Sequence, residues 1–247
     1  MLAIIGGSGL ATLPILEITH RQVVRTPFGD PSCALTFGRI GQENVVFLAR
    51  HGFGHSIAPH EINSRANIWA LHNQGVRGIV SIGSVGSIAV NLETGMLVVP
   101  DDIIDYTWGR KHTFFEGPDK PVVHVDFTQP YCPHLRARLL AAAQSAGVPI
   151  VDGGVYAVAQ GPRLESPAEI RRLERDGATM VGMTGMPEAA LAKEMGIPYA
   201  HVCMVVNKAA GLQPGADEIV FDPGVLQQCK SRVDVLLETL LGISASA

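Results

Sequence analysis

Apolar residues along this chain occur in two alternating patterns, short continuous runs and longer segments in which they recur every three or four positions. Several of the runs show no polar alternation, as expected of strands covered on both faces. The predicted strands span Leu2–Ile5, Asn44–Ala49, Gly78–Ile82, Met96–Pro100, Gly154–Ala159, Thr179–Met183 and Tyr199–Val206. The predicted helices span His60–Asn73, Pro133–Ser145, Pro167–Arg175, Pro187–Met195 and Gly224–Leu241.

The segment Pro167–Arg175 has the clearest helix start. Ser166 precedes it as an N-cap and Glu169 follows three residues later, which is the spacing of a capping box. Alternation of strands and helices favours a mixed, mainly parallel twisted sheet flanked by helices. Because no repeat, low-complexity tract or linker interrupts the pattern, the sequence predicts one α/β domain over residues 1–247.

Composition restricts the partners and the compartment. Apolar residues make up 47% and charged residues 17% of the chain, and the net charge of −4 argues against a nucleic-acid partner, which normally needs a basic face. No apolar stretch approaches the roughly 20 residues that span a bilayer, and the start of the chain does not read as a signal peptide. The cysteines lie far apart, which is typical of reduced thiols, at Cys33, Cys132, Cys203 and Cys229. We therefore expect a cytoplasmic protein with no membrane contact.

Glycines after the first predicted strand form one candidate anion site. The run Gly6–Gly9 would let backbone N–H groups approach an anion, and Ser8 would add a hydroxyl donor. A tight turn without a ligand is an equally simple interpretation. A dinucleotide fingerprint would need glycine or alanine at Thr12, and no Gly-Lys pair follows as in a P-loop.

Further candidate anion-binding groups follow other strands. Arg50 and His51 come directly after a strand, where open α/β sheets bind ligands, and the planar fork of an arginine suits phosphate. Gly83 and Ser84 could add freed N–H groups. A metal site is not expected, because the glycines and the proline between His51, His55 and His60 disfavour the helix that would align these rings.

Several motifs occur together in an order that resembles the trimeric purine nucleoside phosphorylase family, and within it the methylthioadenosine phosphorylase branch. They are Ile4–Leu10, Arg50–Gly52 with His55 and Pro59, Asn63 with Arg65–Leu71, and Met183–Glu188. The similarity runs from the first strand to about Ala210. The resemblance implies the fold of that family, a homotrimer, and inorganic phosphate as a co-substrate with no cofactor.

The resemblance also implies roles for single residues. Phosphate would contact Ser8, Arg50, His51 and Thr184, with backbone help at Gly83 and Ser84. Met183 would pack against the ribose, His55 would lie near the sugar, and His124 matches a position lent by a neighbouring subunit. Leu164 replaces an aromatic residue usual in the family, so we expect weaker stacking on the base.

The positions at which this chain differs from methylthioadenosine phosphorylases indicate which purine base it binds. Methylthioadenosine phosphorylases carry two aspartates where this chain has Asn207, Lys208 and Ala209, so acceptors for a 6-amino group are missing. Glu165, in a Gly-Pro-x-x-Glu spacing, and Asn207 with Lys208 resemble the 6-oxopurine enzymes, in which the acid accepts N1–H. Asn207 is the expected catalytic residue, donating to the departing purine.

The segment Ala216–Phe221 indicates which group the substrate carries at the 5′ position of its ribose. It lacks the histidine that typically holds a 5′-hydroxyl in 6-oxopurine enzymes and offers Ile219 and Val220 instead, an apolar pair that favours a methylthio group, with Ile219 as the expected contact. The expected reaction is S-methyl-5′-thioinosine plus phosphate giving hypoxanthine and 5-methylthioribose 1-phosphate. An inosine or guanosine phosphorylase, a methylthioadenosine phosphorylase, a hydrolytic nucleosidase and a nucleoside-binding module without activity remain alternatives.

Overall fold

A nine-residue strand, Ile79–Ser87, lies at the centre of the fold and contacts three other strands. The structure is a computed structural model that describes residues 1–213, 215 and 217–242. Its strands are β1 Leu2–Gly6, β2 Glu17–Gln22, β3 Leu35–Ile40, β4 Glu43–Ala49, β5 Ile79–Ser87, β6 Leu97–Val99, β7 Asp102–Asp105, β8 Ile150–Asp152, β9 Val155–Val158, β10 Met180–Gly182 and β11 Tyr199–Lys208. Its helices are α1 Ser64–Asn73, α2 Pro133–Ala146, α3 Pro167–Arg175, α4 Glu188–Glu194 and α5 Pro223–Gly242, with a short 3-10 helix at Pro59–Glu61.

The strands form one mixed sheet. Its main path runs β2-β3-β4-β1-β5-β10-β9-β7, and β11, β6 and β8 continue from β5. Six of the ten strand pairings in the described residues are parallel, in agreement with the predicted mainly parallel sheet. Helices cover both faces, since α2 and α5 pack in one apolar cluster and α1 and α4 in another. The predicted α/β architecture is confirmed.

The sheet opens beside the middle of β5. Strand β11 pairs with β5 along its whole length, from Ile79 to Ser87. Two strands share the opposite edge of β5. Residues Ala3–Gly6 of β1 pair with Ile79–Ile82, and β10 pairs only with Gly86 and Ser87. Residues 83–85 therefore lie in a gap between β1 and β10, where backbone groups can face a ligand instead of another strand.

The predicted elements occur in the structure with small shifts at their ends. The capping box of α3 is present, since Ser166 accepts from the Glu169 N–H and Glu169 accepts from the Ser166 N–H. One predicted helix is shorter than expected: the segment His60–Asn73 is interrupted after Glu61, and α1 starts at Ser64 with Asn63 as its N-cap. Asn63 accepts the N–H of Ala66 at 3.1 Å, which stops the helix from extending backwards.

Four strands were not predicted, namely β2, β3, β7 and β8. Strand β2 is exposed at every position and has mixed polar residues, so it carries no apolar run. Strands β7 and β8 are only four and three residues long and end in aspartate. None of the helices in the described residues is long and apolar enough to cross a membrane.

Candidate active site

The gap beside β5 opens into a cavity of about 370 Å³. This volume lies in the range of sites for small organic ligands, roughly 300–1,000 Å³. Its walls are mostly apolar with a few polar groups, which is the usual composition of such a site. The predicted site residues that line it are Ser8, His51, Gly83, Ser84, Leu164, Glu165, Met183, Thr184, Asn207, Ala209 and Ile219.

One end of the cavity carries the groups predicted to bind an anion. A Cβ atom placed on Gly7 would lie 2.7 Å from Arg50 Nη1 and 3.3 Å from the Cα of Gly83, and one on Gly83 would lie 3.4 Å from Thr184 Oγ1. The end of β1, the middle of β5 and the loop after β10 therefore meet here without room for side chains. The buried hydroxyl of Ser84 has no hydrogen-bond partner among the described residues. A ligand with several oxygens would satisfy such donors.

Arg50 lies behind this wall, not on the cavity surface. Its guanidinium is buried and donates from Nε to Glu188 Oε2 at 2.8 Å and from Nη2 to Glu188 Oε1 at 3.0 Å. Nη2 also donates to Ser81 Oγ, and Nη1 donates to the Ile82 carbonyl. Because a guanidinium has five N–H groups, one Nη1 hydrogen stays without a partner in the described residues. The direct phosphate contact predicted for Arg50 rests on that one group.

Glu188 is a buried acid whose role the sequence did not reveal. Burial favours its neutral form, but Arg50, Ser81 and Tyr199 together hold its pKa below the ordinary value. Glu188 in turn stabilises the charged form of Arg50. Burial lowers the pKa of Arg50, but the charge and hydrogen bonds of Glu188 outweigh burial and raise it. Glu188 is therefore an anion that cancels the charge of Arg50, and the anion-binding end carries no net charge from this pair.

His51 is neutral and its tautomer is fixed. Its Nδ1 lies 2.8 Å from the carbonyl oxygen of Ile57, and a carbonyl can only accept, so Nδ1 carries the hydrogen. Burial and then the charge of Arg50 outweigh this hydrogen bond and lower the pKa of His51 to about 4. Nε2 is thus a hydrogen-bond acceptor at neutral pH, able to receive the hydrogen of a protonated oxyanion.

A second histidine, His201, lies on β11 behind Gly83. Its Nε2 is 3.0 Å from the position of a Cβ on Gly83 and has no partner among the described residues. Its Nδ1 is 3.2 Å from Tyr199 Oη, which itself donates to Glu188 Oε1 at 2.7 Å. Burial, followed by the charge of Arg50, lowers the pKa of His201 to about 3. No motif in the sequence marks His201, because it lies within an apolar strand.

Asn207 lines the cavity farther along β5 than Gly83, beside Gly86. A bulge at Val206 shifts the pairing of β11 with β5, so that Val205 and Asn207 pair with the consecutive residues Val85 and Gly86. Bulges re-aim side chains, and here both Val206 and Asn207 line the cavity. Nδ2 of Asn207 donates to the Lys208 carbonyl at 2.8 Å, which fixes the amide and leaves one N–H and Oδ1 for a ligand.

Glu165 lies between α3 and the cavity. It lines the cavity with its neighbour Leu164 and is half-buried. Burial raises the pKa of Glu165, and the nearby charge of Glu169 adds to this effect. The structure thus brings an acid and an amide, both predicted from the sequence to bind the base, to the same cavity.

An apolar wall closes the side formed by the start of α5. Ile219, Phe221, Pro223 and Leu226 line it. Asp222 also lines the cavity, and its Oδ1 accepts the Gly224 N–H at 2.7 Å. Asp222 had not been predicted as a site residue. Ala216, where the predicted 5′ segment starts, lies outside the described residues.

Besides Arg50, three predicted ligand-binding residues are not on the cavity wall. Lys208 directs its Nζ to the Leu92 carbonyl at 2.7 Å, because the strand alternation after the bulge turns its side chain away from the cavity. His55 is exposed, with its ring 4.6 Å from that of His51. His124 is exposed in the long connection between β7 and α2. Within the described residues no group of three or more His, Cys, Asp or Glu side chains could hold a metal ion.

The sequence as a whole matches a known family. A family model described as the Phosphorylase superfamily covers residues 1–242. The chain belongs to this superfamily. The family expected from the motifs is thereby confirmed, and with it the interpretation of the chain as an enzyme that uses phosphate as a co-substrate.

Several individual proteins of known or probable activity are similar to this chain over most of its length. A probable S-methyl-5′-thioinosine phosphorylase of Pseudomonas syringae pv. tomato is 51% identical over 209 residues, 85% of each chain. A 6-oxopurine nucleoside phosphorylase of Pyrococcus furiosus is 47% identical over 216 residues, 85% of this chain and 80% of that one. A solved methylthioadenosine phosphorylase from Schistosoma mansoni in complex with adenine is similar over 100% of this chain and 92% of its own, with a TM-score of 0.92 and 31% identity.

Proposed function

We propose that this phosphorylase cleaves 6-oxopurine nucleosides with inorganic phosphate, and that S-methyl-5′-thioinosine is its preferred substrate. The products are hypoxanthine and 5-methylthioribose 1-phosphate. The observation that carries the proposal is one cavity whose wall holds both the predicted anion-binding residues and the predicted base-binding residues, namely Ser8, His51 and Thr184 with Asn207 and Glu165. This arrangement suits an anion and a purine on either side of one sugar.

Glu165 and Asn207 account for the choice of base. A 6-oxopurine has acceptors at O6 and N7 and a hydrogen on N1, whereas adenine has a 6-amino donor and no N1 hydrogen. The free N–H of Asn207 can donate to O6 or N7, and the Glu165 carboxylate can accept N1–H. Adenine would leave that carboxylate without a hydrogen to accept, at a cost of about 1–3 kcal/mol.

The chemistry needs no protein nucleophile. A phosphate oxygen forms a bond to C1′ while the C1′–N9 bond breaks, and the bonding electron pair leaves with the purine. The monohydrogen phosphate loses its proton on forming the ester, and the purine gains one to become neutral hypoxanthine. The sugar gains oxocarbenium character, as in glycoside hydrolysis, and the phosphate charge offsets it. Asn207 stabilises the negative charge that grows on the purine, an electrostatic effect exerted mainly in the transition state.

Several donors and one acceptor would hold the phosphate. Ser8, Ser84 and Thr184 supply hydroxyls, the backbone at Gly7 and Gly83 supplies N–H groups, and Nη1 of Arg50 lies close to Gly7 with one hydrogen free. The acceptor Nε2 of His51 suits the hydroxyl of a monohydrogen phosphate. His201, behind Gly83, supports this end without lining the cavity.

The 5′ end of the sugar distinguishes two candidates. Ile219 and Leu226 favour a methylthio group, because a hydroxyl buried against them would have no partner. Asp222 supports the second candidate, an inosine or guanosine phosphorylase, because its carboxylate also lines the cavity and could accept a 5′-hydroxyl. Side-by-side rates with methylthioinosine and inosine separate the two.

Association with further copies belongs to the same proposal. Three copies would place His124 of a neighbouring chain at the sugar, which agrees with its exposure on the long connection. His55, exposed beside His51, would face the same sugar. Sedimentation of the purified chain gives the number of copies, and a mass of one copy would contradict this part. A cytosolic location stays a prediction.

The proposed reaction is tested by purine release. Enzyme with methylthioinosine should release hypoxanthine only when phosphate is present, and arsenate, with the same shape and protonation, should replace phosphate. Release at the same rate without either anion would indicate a hydrolase instead. Binding without any release would indicate a nucleoside-binding protein.

A further inference from the structure

Arg110 lies in the connection after β7 and is half-buried outside the cavity. All five of its N–H groups are used. Nε donates to Gln160 Oε1 at 3.1 Å, and Nη2 donates to the carbonyls of Gln160 at 2.8 Å and Ala159 at 3.4 Å. Nη1 donates to the carbonyls of Met183 at 2.9 Å and Met186 at 2.7 Å. One side chain thus joins two separate loops.

The two loops are the ones that carry the ligand-binding residues. The first leaves β9 at Ala159 and leads to Leu164 and Glu165, and the second leaves β10 and contains Met183 and Thr184. Strands β7, β9 and β10 are parallel neighbours, so the loops after them emerge at one edge of the sheet. Arg110, from the loop after β7, bridges the loops after the other two.

The charge of Arg110 has no direct counter-ion. No carboxylate lies within 4.0 Å of it in the described part of the chain, and four of its five acceptors are backbone carbonyls. Burial lowers the pKa of Arg110, with the charge of Asp105 acting against this. A buried cation is costly to keep, and a planar fork of five donors is the feature that a lysine cannot replace.

We propose that Arg110 is a positioning residue that sets the distance between the purine-binding loop of Glu165 and the loop of Met183 and Thr184. The proposal rests on the proposed function, since it assigns the base to the first loop and the sugar with phosphate to the second. Arg110 would affect the reaction only by fixing the relative positions of the two loops, without contacting the substrate. Misplacing a reacting group by about 1 Å can cost on the order of 10²-fold in rate.

Gln160 extends the same link. Its Oε1 accepts from both Arg110 Nε and the Trp108 N–H, the latter at 3.2 Å. The loop after β7 is therefore held to the purine-binding loop at two points through one amide. Replacing Gln160 with leucine removes both of these bonds, whereas the four backbone carbonyls still accept from Arg110. The variant therefore tests the contribution of the Gln160 side chain separately.

The test compares the full-length enzyme with Arg110→Lys, Arg110→Ala, Gln160→Leu and the control Arg171→Lys, an exposed arginine on α3. Steady-state rates are measured with methylthioinosine and with methylthioadenosine. For Arg110→Lys we expect kcat/KM with the oxopurine to fall about 100-fold. The preference for the oxopurine over the aminopurine should fall as well, because Glu165 is no longer aligned. Simple loss of folded protein would lower both rates equally and leave the preference unchanged.

Chemical rescue adds a second criterion. Guanidinium ion should restore at least part of the Arg110→Ala rate, and ammonium ion at the same concentration should not. If Arg110→Ala does not fold, the rates of Arg110→Lys and Gln160→Leu still test the positioning role. A preference within twofold of the wild type in Arg110→Lys would overturn the positioning role. An inactive wild type would instead refute the proposed function, so the two failures are distinguishable.

Discussion

The guanidinium of Arg50 and the carboxylate of Glu188 form a two-point ion pair inside the protein, with Nε–Oε2 at 2.8 Å and Nη2–Oε1 at 3.0 Å. Both side chains are at most 2% exposed. Glu188 also accepts the hydroxyl hydrogens of Ser81 and Tyr199. The pair supports the floor of the predicted phosphate site without giving it a net charge, so the hydrogen-bond geometry there determines which anion fits.

Glu188→Gln should be strongly destabilising. The amide keeps the shape of the acid but leaves Arg50 as an uncompensated buried charge, which typically costs about 3–5 kcal/mol. Urea unfolding at neutral pH measures the loss. Glu116→Gln serves as the control, because Glu116 pairs with Arg65 at the surface and such pairs contribute only about 0–1 kcal/mol. Equal losses in the two variants would contradict the role given to Glu188.

Stability should fall in mild acid because of two buried histidines. The pKa values of His51 and His201 in the folded protein are about 4 and about 3, below the ordinary 6.5. As the pH falls below about 6.5, the unfolded chain takes up protons that the folded protein refuses, which favours unfolding by up to about 1.4 kcal/mol per pH unit for each histidine. This loss continues down to the folded pKa values and then levels off.

His201→Gln isolates one of these contributions. The variant should have a shallower fall in unfolding free energy between pH 6.5 and pH 4 than the wild type, by roughly the share of one histidine. His134→Gln, at an exposed position on α2, is the control for the substitution itself. If the slopes of the wild type and His201→Gln agree, His201 is not the neutral buried group described above.

The sequence predicted the fold and the position of most cavity residues but not the network behind them. Continuous apolar runs identified β1, β4, β5 and β11, and the motifs identified the loops that meet at the cavity. Strand β2 could not be found, because an exposed edge strand needs no apolar face. Lys208, predicted with Asn207 to bind the substrate, lies off the cavity wall, because a bulge in β11 changes which side chains face the cavity and the sequence does not reveal the bulge.

Glu188, His201 and Arg110 were missed for a related physical reason. Each acts through partners that are far away in the sequence, such as Arg50 with Glu188 or Arg110 with Met183. No local spacing encodes a contact between residues that only the folded sheet brings together. Glu188 was visible as part of a motif, but its carboxylate gave no indication that its partner was Arg50.

Asn207→Ala should lower turnover while leaving the fold intact. Loss of one donor to a charge that develops in the transition state typically costs about 10²–10³ in rate. Asn207→Asp should instead shift the preference towards methylthioadenosine, because a carboxylate accepts from a 6-amino group and cannot donate to O6. The exposed Asn44→Asp provides the matched control. Unchanged turnover in Asn207→Ala with methylthioinosine would remove Asn207 from the mechanism.

Ile219→Ser should change the preference at the 5′ end. A hydroxyl in the apolar wall offers a partner to inosine and removes contact with the methylthio group, and the two effects together should shift the ratio of kcat/KM values about tenfold towards inosine. Val220→Ser is the control, since Val220 is next in sequence, 55% exposed and not part of the cavity wall. A shift of equal size in the control would refute the assignment of Ile219.

The most direct measurement is hypoxanthine release by the wild-type enzyme from methylthioinosine, with and without phosphate, beside parallel reactions with methylthioadenosine, inosine and guanosine. We expect hypoxanthine release that requires phosphate, is fastest with methylthioinosine and yields a sugar 1-phosphate. Adenine release from methylthioadenosine at an equal or higher kcat/KM, or purine release that does not depend on phosphate, would contradict it.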